Sequence, residues 1–167
     1  MPANPPLNLE ERRELIAVVA DVPAKLEALL APLTAEDLTA RTLPGEWTVA
    51  QNVHHLADAS TNFFLRLKWL LTEERPTIKT FDQVRWAETP DAVGGAVQSS
   101  LAIIRGVHER CVVLLTNLAD ADWQRVANHP ERGELTANDI LRSLANHAQA
   151  HLEQIAKTRA ARGRTGQ

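Results

Sequence analysis

The sequence predicts an all-α fold, a four-helix bundle forming one domain over residues 1–167. Three observations point that way. Four long stretches carry apolar residues at helical spacing, and no segment alternates apolar and polar residues over a useful length. The composition, 44% apolar with seven Gly and no Tyr in 167 residues, suits a compact helical protein. A chain of this length can bury roughly 70% of its unfolded surface without staples.

The first stretch runs from Leu9 to Leu30, with Leu15, Ile16, Val19, Leu26, Leu29 and Leu30 on its stripe. Pro23 lacks an N–H and crowds the preceding turn, so a kink or two shorter helices is expected there. A helical turn follows at 35–38, with Thr34 as cap and Asp37 three residues on. The second long helix starts after Pro44 and Gly45. Thr48 and Gln51 form a capping-box pair, and Val49, Val53, Leu56, Phe63, Leu67 and Leu70 make its stripe. A connection of about fifteen residues follows, longer than most bundle loops. It holds one short helix near 81–86 and is long enough for a crossover. The third helix is expected from Thr89 and Pro90, through Val93, Val97, Leu101, Ile104, His108, Cys111 and Leu115. A polar loop with His129, Pro130 and Gly133 precedes the fourth helix. Thr136 and Asp139 open that helix, and Ile140, Leu144, His147, Ala148, His151 and Ile155 form its stripe. It fades into a solvated basic tail at 157–164, whose charge suits a helix C-terminus. The helices read as an antiparallel bundle.

Several function classes are excluded by composition. The formal net charge is −3, which implies no basic face for nucleic acid. Cys111 is the lone cysteine, so no intramolecular disulfide forms, in keeping with a reducing compartment. The N-terminus has no signal-peptide pattern, and no run approaches the ~18 apolar residues of a membrane span. A cytoplasmic protein is expected.

The histidines carry the chemistry. His147 and His151, four apart on a helix, sit one turn above the other on the core-facing stripe. Two imidazoles so placed can hold a metal from one side. A third ligand must come from elsewhere, and the pair His54 and His55 offers one. Adjacent helical residues point about 100° apart, so only one of the two can face the site. Counted from Val49 and Leu67, His54 lies about 140° to one side and His55 about 120° to the other. Periodicity does not choose between them. His108 reads as a hydrogen-bonded core histidine, or a group standing behind the ligands, rather than a fourth ligand. His129 reads as an exposed loop residue. Asp58, three residues past His55, and Gln154, about 20° from the azimuth of His147, are further candidates to support the ligands. Trp86 and Asp82 are candidates for the mouth of the site. Trp47 is expected to staple the start of the second helix against Val53. There is no H-E-x-x-H, no G-x-S-x-G and no phosphate-binding glycine loop. A general acid or base is therefore not identified.

The segments GEWTVAQNVHHLADAS, TEERPTIKTFDQVRWAE, NHPERGELT and HAQAHLEQI together resemble the DinB-like superfamily, and within it the YfiT-type metal-dependent hydrolases, over about residues 11–159. The resemblance implies an up-down-down-up four-helix bundle, a homodimer and one Zn²⁺ or Ni²⁺ per chain on three histidines. By position these ligands are His55, eight residues after Trp47, with His147 and His151. His54 is then a neighbour.

Two classes of function follow. A three-histidine ion with an open position activates water for hydrolysis of a small-molecule substrate. The same position suits S-transfer from a low-molecular-weight thiol, since coordination deprotonates a thiol without a protein base. The other class is a non-catalytic metal-binding bundle.

Overall fold

The computed structural model describes residues 5–165. Four long helices, α1 (Leu9–Leu30), α3 (Val49–Thr72), α5 (Gln98–Thr116) and α6 (Ala137–Thr165), form the bundle. Short helices α2 (Ala35–Thr39) and α4 (Gln83–Trp86) lie between them, with a 3-10 turn at Asp122–Gln124. Strands β1 (Val126–His129) and β2 (Gly133–Thr136) form an antiparallel hairpin.

Local capping fixes most of the helix starts. Asn8 with Glu11, Thr34 with Asp37 and Thr48 with Gln51 all form reciprocal capping boxes. Thr136 and Asp139 do the same before α6. Each pair satisfies two N–H groups that no helical carbonyl can reach.

The course is up-down-down-up, and side-chain links show it. Arg12 bonds Asn138 and Arg159 bonds the Leu29 carbonyl, so α1 and α6 run parallel. His54 meets Ser100 and Ser60 meets His108, so α3 and α5 also run parallel. The α1/α5 and α3/α6 contacts are antiparallel. Helices consecutive in the bundle, α1 with α3 and α5 with α6, face each other diagonally. A uniformly antiparallel bundle is thus not what forms. Parallel neighbours need a long return, and residues 73–97 provide it.

The core divides into two apolar clusters. His108 and Ser60 are buried polar residues, bonded to each other at 2.9 Å between α5 and α3.

Pro23 lies inside α1, which continues through it as one helix rather than two shorter ones. Its missing N–H leaves the Val19 carbonyl without the usual i→i−4 donor. His108 Nδ1–H donates to that carbonyl at 2.8 Å. Its Nε2 then accepts from the Ser60 hydroxyl at 2.9 Å. Burial pushes the His108 pKa down, so the neutral tautomer is the one that ties α1, α3 and α5.

Three other expectations are corrected. The third long helix begins at Gln98, not at Thr89, because residues 82–97 turn repeatedly and Gln51 Nε2 holds the Ala87 carbonyl at 2.8 Å. The polar loop is a hairpin, whose four-residue strands are too short to show a period of two. Its turn is closed by Gly133 at φ +77°, a conformation that suits glycine. The basic tail continues α6 to Thr165, and Arg162 pairs with Glu36 and Asp37 on α2.

The hairpin is pinned beside α3. Arg125 donates to the Leu70 and Glu73 carbonyls at the end of α3, 2.7 and 2.9 Å away. Asn128 exchanges backbone hydrogen bonds with Pro76 and Ile78, each at 2.8 Å. The chain after α3 is thereby fixed along β1 and delivers Phe81 and Asp82 to the bundle's side. No helix among the described residues is long and apolar enough to cross a membrane.

His108→Leu is expected to cost about 1–3 kcal/mol, since the Val19 carbonyl loses its donor. Pro23→Ala restores an N–H, so it should recover about 1 kcal/mol more in the His108→Leu background than in the wild type. Urea unfolding of the four proteins measures this, and strict additivity would contradict the link.

Candidate metal centre

Three histidines converge between α3 and α6. His55 comes from the second turn of α3, and His147 and His151 from successive turns of α6. One ligand nitrogen from each lies within 4.8 Å of the others. The ring centroids are 4.5–5.0 Å apart. His55 is 1% exposed, and the other two are half-buried. No Asp, Glu or Cys among the described residues joins the set.

His54 does not belong to it. Its Nε2 donates to the Gly94 carbonyl at 3.0 Å, and its Nδ1 accepts from Ser100 at 2.8 Å. Both nitrogens are satisfied, and the residue joins α3 to α5 and the segment before it. A turn of 100° per residue sends the two adjacent histidines to different neighbours.

Asn52 orders the cluster, and sequence reasoning missed it. It is fully buried, three residues before His55. Its Nδ2 donates to the Thr48 carbonyl at 3.0 Å. Its Oδ1 therefore accepts from His151 Nδ1–H at 2.8 Å. That bond fixes the tautomer and leaves a lone pair on His151 Nε2. The signal for Asn52 was its helical spacing from His55 together with the adjoining cap.

His55 and His147 meet Nε2 to Nε2 at 3.0 Å. Only a shared proton or a cation between them relieves lone-pair repulsion at that distance. His55 Nδ1 is buried with no partner. Burial, then the charges of His151 and His147, push the His55 pKa down to about 3. Burial, then His151 and Arg66, lower His147 to about 4. Burial also lowers His151. The trio is neutral near pH 7, the form that binds metals. The donor set, its neutrality and its lack of an internal counter-charge fit a divalent ion.

Aromatic rings shield the site. Trp47 packs on His55 at 4.8 Å and stacks on His151 at 6.1 Å. Phe81 stands 6.4 Å from His55 and carries Trp86 on its other side. Phe63 contacts His147 edge-on.

A cleft of about 640 Å³ opens beside His147. Phe63, Arg66, Phe81, Asp82, His129 and Glu131 are among its walls. Asp82 thus reaches the mouth, where it also caps α4. His129 is 7% exposed and is not a free loop residue. It ends β1, and its Nδ1 accepts the Glu131 N–H at 3.2 Å. Trp86 is 41% exposed and reaches the site only through Phe81.

The other expected supporting residues stand apart. His108 is engaged with Val19 and Ser60. Asp58 lies with Asp91 and His54, and burial followed by the Asp91 charge raises its pKa. The Gln154 side chain, half-buried one turn past His151, has no hydrogen bond to the trio.

Residues 19–155 match the family model of the DinB superfamily. A protein of Geobacillus thermodenitrificans, provisionally named a metal-dependent hydrolase, is 40% identical over 92% of this chain and 87% of its own. The YfiT protein of Bacillus subtilis is 35% identical over 89% of this chain and 84% of its own. The solved structure of YfiT superposes with a TM-score of 0.91 at 32% identity, covering 98% of this chain and 94% of that one. It is described as a "probable metal-dependent hydrolase with an unusual four-helix bundle topology".

The lowered histidine pKa values set a pH dependence for the metal-free protein. Unfolded histidines take up protons near pH 6.5 while the folded trio resists. Stability is therefore complete above pH 6.5 and is lost as pH falls from there toward about 4 and 3 for His147 and His55. Urea midpoints at pH 7, 6 and 5 should fall steadily, and His147→Gln should flatten the slope. Midpoints independent of pH would contradict burial of a neutral trio.

Proposed function

Because the chain belongs to the DinB superfamily, we propose that it is a metal-dependent hydrolase whose ion is held by His55, His147 and His151. The observation that carries this reading is the cleft beside His147, with ionisable groups in its wall. His55, His147 and His151 would hold the ion, which when bound would supply an activated water near neutral pH. Zn²⁺ and Ni²⁺ both suit imidazole ligands.

The chain's own residues do the rest. Asn52 holds the His151 ring in one tautomer. Trp47 packs against His55 and His151, and Phe81 stands beside His55. His129, with Nδ1 occupied by the Glu131 amide, presents Nε2–H as a donor. Burial, then the Arg66 and Arg132 charges, lower its pKa, so it stays neutral and polarises without adding charge. Asp82 and Glu131 in the same wall are the carboxylates placed to accept a proton from a substrate in the cleft.

Thiol transfer is the second reading. It is favoured by the fact that no carboxylate joins the three imidazoles themselves, since metal-held thiolate needs no base.

His55→Ala, His147→Ala and His151→Ala should each lose stoichiometric metal, while His54→Ala retains it, by elemental analysis of purified protein. Asn52→Ala should weaken metal affinity by about 10–100-fold in competition with a chelating indicator. Ester and amide panels, run beside a glutathione and monobromobimane assay, separate the two readings. Hydrolysis lost on chelation and restored by Zn²⁺ or Ni²⁺ supports the first. Bimane transfer without hydrolysis supports the second.

A further inference from the structure

Arg66 is the unexplained residue of the cleft. It sits on α3 eleven residues after His55, on the wall that also carries Phe63 and His147. The residue is only 9% exposed. Its Nε is buried with no hydrogen-bond partner. No carboxylate among the described residues forms an ion pair or hydrogen bond with it. Asp82 and Glu131 line the same cleft, yet neither is bonded to it. What touches it is the Phe63 ring, 5.3 Å below the guanidinium carbon. Its charged neighbour is Arg132, a like charge.

A guanidinium has five N–H donors in a planar fork and keeps its charge in proteins. Its Nε is sealed beside another cation without an acceptor, which is costly, while its Nη groups are not sealed from solvent and remain available to a ligand in the cleft. Several other arginines hold at least one internal acceptor: Arg142 donates to the Pro5 carbonyl, although its Nη1 is also buried without a partner. Arg125 holds two backbone carbonyls, and Arg162 holds two carboxylates. Arg66 has neither.

We propose that Arg66 is the anion-binding group of the substrate site, and that the molecule taken by the cleft carries a carboxylate that docks on its guanidinium. This rests on the reading of the three histidines as the reacting end of the same cleft. The geometry suits one small molecule. Phe63 supports both ends, with the His147 ring 5.8 Å and the Arg66 carbon 5.3 Å from its centre. A planar monoanion matches the fork bidentately. The nearby Asp82 and Glu131 disfavour a dianion such as phosphate. Phe63 and Phe81 offer apolar surface between the two ends.

The test compares 3-phenylpropionate with its uncharged amide, 3-phenylpropionamide, by ligand-observed NMR titration of the full chain. Metal-free and zinc-loaded protein are both titrated, and zinc content is measured separately. The acid should bind at least about tenfold more tightly than the amide in both states. Arg66→Gln should abolish that preference and Arg66→Lys should keep part of it, with metal content unchanged in both. The preference in metal-free protein supports the proposal even if the metal assignment fails. Equal binding of acid and amide by the wild type overturns it, whether or not Arg66→Gln folds. A preference that appears only with zinc and survives in Arg66→Gln overturns it too, as does binding of inorganic phosphate without binding of the acid.

Discussion

Three neutral imidazoles packed against one another, without an anion among them, are the constraint around which this bundle is organised. Imidazole rings in such contact gain little by themselves. Two Nε2 atoms meet at 3.0 Å and can share only one proton, and one ring nitrogen is buried without a partner. Buried polar groups are ordinarily satisfied, and each exception calls for a reason. A cation shared by the three rings supplies one. The surroundings agree with that reason: Asn52 orients one ring, aromatic side chains cover the others, and burial keeps all three deprotonated.

The unusual helix order serves the same end. Parallel pairing of α3 with α5 forces a long return, and that return becomes a wall of the cleft instead of a slack loop. Asn128 fastens it to β1, and Arg125 fastens the hairpin to α3. Phe81, Asp82 and His129 arrive at one place from segments distant in sequence. The bundle itself is held at its middle by His108, which repairs the hydrogen bond that Pro23 removes from α1. A defect in one helix and a polar residue in another thus form a single unit that ties α1, α3 and α5 together.

Local chemistry was legible in the sequence, and non-local chemistry was not. The capping pairs Thr34/Asp37, Thr48/Gln51 and Thr136/Asp139 mark their helix starts because both partners lie within one turn. The spacing of His147 and His151 places them on one face for the same reason. Counting along α3 left His54 and His55 open, because either flank of a bundle helix meets a neighbour. Family resemblance pointed to His55, the one that lies with His147 and His151 in space. That α1 continues through Pro23 was not legible, because the replacement donor for the Val19 carbonyl is 85 positions away on another helix. His129 read as exposed because strands of four residues carry no usable periodicity. Arg66 gave no sign at all: what distinguishes it is a missing partner, and that exists only in three dimensions.

The metal is the firmer part of the functional reading, since it follows from side chains in mutual contact. The proposed reaction would draw on groups across the cleft, which Asp82, His129 and Glu131 line. X-ray absorption at the metal edge of the loaded wild-type protein bears most directly on the three ligands. Scattering from three imidazoles in the first coordination shell is expected. A shell with two imidazoles or fewer, or one built on carboxylate oxygens, would contradict it.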